Sequence, residues 1–231
     1  MFLIILFVLL SAAYGIYYTS FRIESGCWVK ALCRAHGAGR RVALTFDDGF
    51  DTRLTPQVLD VLKAHGVEAC FFLVGERIES QLLERMAAEG HIVGNHTFTH
   101  RGAGPFASTK RMISDARRTD DIIYRVLRCR PKLFRPPFGV TNPMIGRMVR
   151  AQGYTVIGWS IRSFDTLSNP CEQVVERIRQ QLHDGAVILL HDNRPESPRL
   201  TDLVLQMLAR ENYRVERVDK LLNIQSYEDE K

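Results

Sequence analysis

The sequence predicts an α/β fold in which a parallel sheet of apolar strands, covered by helices, closes toward a barrel. Three observations carry that expectation. From Arg41 onward, strand-like and helix-like patterns alternate along the 231-residue chain. The strand-like runs, such as residues 69–74 and 186–190, are apolar throughout, as strands covered on both faces are. The chemically versatile residues follow strands: Asp47 and Asp48 the first, His96 and His100 the third, Arg135 the fourth. Asp165 comes shortly after the fifth, and His191 and Asp192 follow the sixth. In a parallel β/α barrel every strand C-terminus opens on one face, so these side chains converge.

The elements follow in order. Residues 41–46 form an apolar strand that ends in Asp47-Asp48-Gly49, a turn signal. Residues 55–65 read as a helix with Val58, Leu59, Val61 and Leu62 inward and Gly66 as its stop. A strand at 69–74 ends at Gly75, and a helix at 80–89 closes on Gly90. A short strand at 91–95 precedes the histidines. Residues 108–127 form a long amphipathic helix capped by Ser108 or Thr109, with Met112, Ile113, Ala116, Ile123 and Val126 inward. Leu133-Phe134 is a brief strand, 142–152 a helix stopped by Gly153, and 154–159 a strand. Pro170 opens a helix to 182, as helices tolerate proline in the first turn. A strand at 186–190, a helix at 200–208 and a final strand at 213–218 complete the pattern, before an acidic tail at 227–230.

Composition bounds the function. Hydrophobic residues make up 45% of the chain and charged residues 25%, enough apolar material for one substantial core. The formal net charge of +5 is scattered, with no basic run of the kind that binds nucleic acid. Five cysteines include no CxxC pair, which removes zinc-ribbon and thioredoxin readings. Cys70 lies in an apolar run and reads as a core thiol; Cys27 and Cys33 are near enough in sequence to bridge in an oxidising compartment.

Residues 1–20 are expected to be a signal anchor or a signal peptide, 21–40 a linker with local turns, and 41–231 the catalytic domain. Residues 2–18 show no polar face, so they are no ordinary core helix. Left uncleaved, they provide the contact with the membrane, with Tyr14, Tyr17 and Tyr18 placed for an interfacial belt. Ser11-Ala12-Ala13 offers small residues for cleavage. Basic residues follow the segment and none precedes it, which by the positive-inside rule favours a cytoplasmic domain. A single span before a large folded domain obeys that rule weakly. The expectation is a membrane-anchored or secreted protein with its domain on the extracytoplasmic side.

Asp47 and Asp48 are costly side by side unless a cation neutralises one of them. His96-Thr97-Phe98-Thr99-His100 sets two imidazoles four apart, on one helix face or in a loop made by the surrounding Gly94, Gly102, Gly104 and Pro105. Either arrangement presents two nitrogens to one metal. With Asp48 the set becomes two histidines and one carboxylate, leaving open positions as catalytic metal sites do. Other divalent ions also suit those ligands.

Thr45-Phe46-Asp47-Asp48-Gly49, His96 through His100, Arg135-Pro136-Pro137-Phe138-Gly139, Asp165 and Leu189-Leu190-His191 occur in the order seen in one family. In these motifs the chain resembles the polysaccharide deacetylases, the NodB-homology or carbohydrate esterase family 4 enzymes. The resemblance covers about residues 41–192 and implies a distorted parallel (β/α)7-type barrel behind the N-terminal hydrophobic segment.

The resemblance also implies roles. Asp47 is the general base, and Asp48, His96 and His100 hold one divalent metal ion, zinc in first place. Arg135 holds Asp47, while His191 is the general acid oriented by Asp165. The substrate-binding residues are Phe138, whose backbone N–H binds the oxyanion in place of the family's tyrosine, and Leu189, which walls the acetyl pocket. The chain departs from the family in its fourth motif. Arg162-Ser163-Phe164-Asp165-Thr166 stands where the family reads Asp-x-x-Asp-Trp, so the first aspartate is Arg162 and the pocket tryptophan is Thr166. Arg101 replaces a common proline in the second motif.

The implied activity is metal-dependent removal of N-acetyl groups from amino sugars of a polysaccharide, with peptidoglycan or another envelope glycan as the expected partner. Two rivals remain at this point: a metal amidohydrolase for a small non-sugar amide, and a glycan-binding module without turnover. Trp159 is expected in the core, and His36, His65, His91 and His183 solvated or satisfied locally.

Overall fold

The computed structural model describes residues 1–100 and 108–228. Arg101, Gly102, Gly104 and Pro105, and the end of the acidic tail, lie outside the described residues.

The sheet grows outward from β2 (Arg41–Asp47). On one side lie β3 (Cys70–Leu73), β4 (Ile92–Asn95), β5 (Leu133–Phe134) and β6 (Thr155–Ile157), and on the other β8 (Val187–His191) and β7 (Ile161–Arg162). Beyond β6 comes β1 (Ala31–Leu32), giving the order β1-β6-β5-β4-β3-β2-β8-β7, and every pair is parallel. A last strand, β9 (Arg214–Val215), pairs with the start of β2. The sheet curls into a distorted, incompletely closed barrel. Among the described residues no strand pair joins β1 to β7. The chain itself spans that gap: the Gly158 N–H donates to Leu32 O at 2.9 Å and the Ser160 N–H to Val187 O at 3.0 Å.

Strand periodicity sorts β2 between two environments. Val42, Leu44 and Phe46 point out, into the cluster beneath the helices, where Phe46 stacks on Phe71 with ring centroids 4.9 Å apart. Ala43 points in and packs with Cys70, Phe72 and Val187 at the bottom of the barrel. The next inward positions are Thr45 and Asp47, both buried. A single alternation therefore builds the core and delivers a carboxylate to the barrel mouth.

The covering helices are α2 (Leu54–Ala64), α3 (Ser80–Ala88), α4 (Thr109–Leu127), α5 (Pro143–Gln152), α6 (Cys171–Gln181) and α7 (Ser197–Arg210). Side-chain caps set two of their starts. Ser108 Oγ accepts from Arg111 N–H at 3.3 Å, and Asn142 Oδ1 accepts from Ile145 N–H at 2.8 Å.

Four expectations differ from the structure. Residues 21–40, read as a linker, contribute β1, and Ile23 and Val29 are buried with Trp159 and Leu189. Strand β7 was not expected; two residues carry no readable period. Residues 213–218 were read as one strand, but pairing stops at Val215 and α8 (Val218–Leu222) follows, because Val218 and Leu221 share a helix face that seals the barrel bottom. Helix α7 starts three residues earlier than expected, at Ser197, with proline in its first turn.

The N-terminal helix α1 (Phe2–Phe21) contains an 18-residue stretch with a mean hydropathy of 2.0 and has no buried residue. Cys27 and Cys33 are both free thiols. Trp159 lies in the core, His65 pairs with Asp202 at 2.7 Å, and His91 Nδ1 accepts from Ala69 N–H at 3.0 Å.

Candidate metal and acid–base site

The strand ends bring the expected residues together at the mouth of the barrel. Asp47 is the last residue of β2, and Asp48 turns out of the strand with φ 74°. Gly49 follows because a Cβ there would lie 2.8 Å from Asp192 Oδ2. Asp192 is fully buried and takes a hydrogen bond from Thr55 Oγ1 at 2.7 Å, so it forms the floor of the turn. Arg77 Nη1 donates to Asp48 O at 2.8 Å and fixes the turn from the other side.

His96 and His100 lie in a loop after β4, with Thr97 at φ 69° and His100 at φ 51°. Buried polar groups shape this loop. Asn95 Oδ1 accepts from Thr97 N–H at 2.7 Å, and Asn95 Nδ2 donates to Asp120 Oδ1 at 2.7 Å and to Ala116 O at 2.8 Å. Tyr154 Oη donates to Asp120 Oδ2 at 2.5 Å, and Asp115 Oδ2 accepts from Phe98 N–H at 2.9 Å. Sequence reasoning missed Asn95, Asp115, Asp120 and Arg77, and it placed Asp192 at the strand end without giving it a role. Only Asn95, polar inside an apolar strand and adjacent to His96, carried a signal.

Asp48, His96 and His100 offer ligand atoms that all lie within 4.8 Å of one another. Asp48 Oδ1 is 3.1 Å from His100 Nε2 and 3.7 Å from His96 Nε2. The buried His96 ring sets its Nδ1 2.7 Å from Arg135 O. A carbonyl only accepts, so Nδ1 carries the proton and Nε2 turns a bare lone pair toward Asp48. Asp48 Oδ1 is itself buried without a hydrogen-bond partner. Burial, with the neighbouring His96, lowers His100 to about 4, which keeps its ring neutral. Lone pairs from three side chains converging without a proton between them fit a divalent cation.

Asp47 sits beside this cluster. Arg135 Nη1 donates to Asp47 Oδ1 at 2.7 Å and to Thr45 Oγ1 at 2.9 Å. The rest of the guanidinium is satisfied by Ile157 O at 2.9 Å and Gly158 O at 2.8 Å, and Arg135 is 0% exposed. Its face lies over Phe72, 4.2 Å from the ring centroid. Burial pushes the Asp47 carboxyl up, but Arg135, His96 and His191 outweigh it and hold it below the usual carboxylate range.

His191 ends β8, register-paired with Asp47. Its Nδ1–H donates to Asp165 Oδ1 at 2.8 Å, and its backbone N–H to Asp165 Oδ2 at 2.7 Å. Ser163 Oγ donates to the same carboxylate at 2.9 Å. Burial alone would lower His191, yet Asp165, then Asp47 and Asp48, raise it above the ordinary histidine value. Phe138 lies in a turn with φ 60°, its ring 4.8 Å from that of His100. Gly139 follows at φ 69°, where a Cβ would meet the ring of Trp159. Leu189 is buried in the same cluster as Trp159.

Among the described residues, barrel and ligand set together give an α/β-barrel protein with a candidate divalent-cation site between an ionised carboxylate and a protonatable imidazole. Residues 34–157, more than half of the chain, match the family model described as polysaccharide deacetylase. The peptidoglycan-N-acetylglucosamine deacetylase of Bacillus cereus is 34% identical over 152 residues, covering 65% of this chain and 55% of that protein. The peptidoglycan-N-acetylmuramic acid deacetylase PdaA of Bacillus subtilis is 31% identical over 192 residues, covering 79% and 72%. The chain thus spans about half the length of the first relative and nearly three quarters of the second. A solved chitin deacetylase from the fungus Colletotrichum lindemuthianum superposes with a TM-score of 0.79 at 28% identity, over 86% of this chain and 95% of that one. A family 4 acetyl xylan esterase from Clostridium thermocellum, solved with a cobalt ion, gives 0.73 at 31% identity, over 79% and 90%. The chain belongs to the polysaccharide deacetylase family.

Proposed function

We propose that this protein is a metal-dependent hydrolase that removes N-acetyl groups from amino sugars of a glycan, with peptidoglycan as the leading polymer. The observation that carries the reading is the three-ligand cluster with Asp47–Arg135 on one side and His191–Asp165 on the other. The relatives named for peptidoglycan and chitin support the substrate class.

Asp48, His96 and His100 would hold the ion, zinc by preference for two imidazoles and a carboxylate. When bound, it supplies Lewis-acid polarisation of the amide carbonyl and makes water more acidic. Asp47, kept ionised and fixed by Arg135, takes a proton from the attacking water. The Phe138 N–H stabilises the charge that develops on the carbonyl oxygen. His191, kept protonated by Asp165, gives its proton to the sugar nitrogen as the C–N bond breaks, so acetate and a free amine leave. Leu189 walls the space for the acetyl methyl.

Helix α1 has the length and hydropathy of a membrane anchor. It meets the domain directly: Thr141 donates to Ser20 O through its N–H at 2.8 Å and to Thr19 O through its hydroxyl at 3.1 Å. We place the domain at the outer face of the membrane, where envelope glycans are.

The test is acetate release from chitooligosaccharides and from peptidoglycan by the full chain, with and without one equivalent of zinc. Metal-dependent acetate from either glycan is the expected result. Acetate from small amides alone would favour an amidohydrolase, and metal uptake with no acetate at all a binding module.

A further inference from the structure

We propose that the site selects an acidic amino sugar, one that carries a carboxylate beside its N-acetyl group, and that Arg162 reads that carboxylate. The inference rests on the deacetylase reading above and adds the charge of the substrate to it.

Arg162 is exposed at the rim of the site. In the sheet it lies in register with Leu189, two residues before His191. Its guanidinium carbon is 5.7 Å from the Trp159 ring centroid and 4.8 Å from that of Phe164. Trp159 backs the Phe138–Gly139 turn, so the cation rests on the wall of the pocket. The next residue, Ser163, donates to Asp165, and Asp165 in turn holds His191. Arg162 thus stands on the side where the leaving nitrogen and its sugar ring must sit.

No carboxylate among the described residues is in ion-pair contact with the cations at this rim. Among the described residues Arg162 has no ion pair and no hydrogen bond; its contacts are the two rings. The Arg177 guanidinium carbon lies 5.7 Å from the same Phe164 ring centroid and Arg177 Nη1 donates to Ser163 O at 2.8 Å, again with no ion pair among the described residues. Two guanidinium groups beside one half-exposed ring, neither held by a carboxylate in direct contact, leave donors free for an anion. A guanidinium packed against two aromatic rings has already lost part of its freedom. Its fork matches a carboxylate bidentately, at less entropic cost than a free lysine. Phe138 at 61% exposure and Phe164 at 40% give the sugar ring apolar faces beside the charge.

The experiment uses the zinc-loaded full chain and three probes. They are a tetrasaccharide alternating N-acetylglucosamine with N-acetylmuramic acid, the same molecule with its carboxylates reduced to alcohols, and neutral chitotetraose. The acidic tetrasaccharide should exceed its reduced form by about tenfold in kcat/KM, mostly through KM. Arg162→Gln should bring that ratio to about one, and Arg162→Lys should restore part of it. A purely structural role for Arg162 would lower both substrates together and leave the ratio standing, which overturns the inference. Equal kcat/KM for the acidic and reduced forms in the unmodified chain overturns it as well. The same ratio is read as Kd on the Asp47→Asn chain. A carboxylate preference in binding, with no acetate from any glycan, removes the deacetylase reading and leaves this one. Acetate release with no preference in either assay does the reverse.

Discussion

Replacing Arg135 with methionine tests the centre of the site most directly. The guanidinium is fully buried and makes four hydrogen bonds, one to Asp47 at 2.7 Å. Methionine fills much of the volume and none of the donors. Asp47 would then be a buried carboxylate that has lost its partner, a change that costs about 3–5 kcal/mol. For a chain of this size each kcal/mol moves Tm by about 2–4 °C, so Tm should fall by roughly 6–20 °C. The contribution has a definite pH window. Asp47 is depressed in the folded state, so its stabilisation is present above the unfolded carboxylate range, near 3.9, and is lost as pH falls through the folded value. The loss in Arg135→Met should therefore be largest near neutral pH. The assay is thermal unfolding of the full chain in detergent with a chelator, on Asp47→Asn, Arg135→Met and the double variant. The two changes should couple by about 1–3 kcal/mol, with the double variant less damaged than the sum. Additivity within about 0.5 kcal/mol would mean that the pair does not stabilise the fold as argued.

Four further outcomes are expected. Asp47→Asn should abolish acetate release while calorimetry still finds one zinc per chain; loss of zinc instead would exchange the roles of Asp47 and Asp48. Chelation should stop turnover, and Asp48→Ala should remove stoichiometric metal uptake even in unreactive protein, since the orphaned Oδ1 is the carboxylate atom facing both histidines. Activity that needs protonated His191 falls as pH rises through its raised value. Asp165→Asn removes the largest raising influence, so the alkaline limb should move to lower pH, and an unmoved limb would assign that limb to another group. A chain beginning at residue 40 should be at least about 3 kcal/mol less stable than one beginning at residue 19. It loses the buried Ile23 and Val29, each worth about 1.5–3 kcal/mol, together with β1; equal stability in urea would make the segment a mere linker.

The site was legible because its chemistry is concentrated at strand ends. Asp47-Asp48-Gly49 and the paired histidines are short, polar and abrupt within apolar runs, and a parallel sheet sends such breaks to one face. The long helices were legible for the same reason in reverse: eleven to nineteen residues give a 3.6-residue period room to repeat. Strands β1 and β7 hold two residues each, too few for any period, and owe their existence to the partners they meet. The spacing of His96 and His100 allowed a helix or a loop, and the network of Asn95, Asp120 and Tyr154 settles it. Those three residues are far apart in the chain, so no local pattern announces them.

By itself the sequence determined the order of strands and helices, the face on which the polar residues emerge, and the kinds of ligand, acid and base available. Those depend on neighbours within a few residues, where periodicity and turn chemistry act. Only the tertiary structure decided that the segment after α1 completes the sheet edge, that Asp48 Oδ1 is left without a proton donor, and that Arg162 rests against two aromatic rings with no ion pair among the described residues. Burial, pairing and unpaired charge are relations between distant parts of the chain. They exist only once the barrel has brought those parts together.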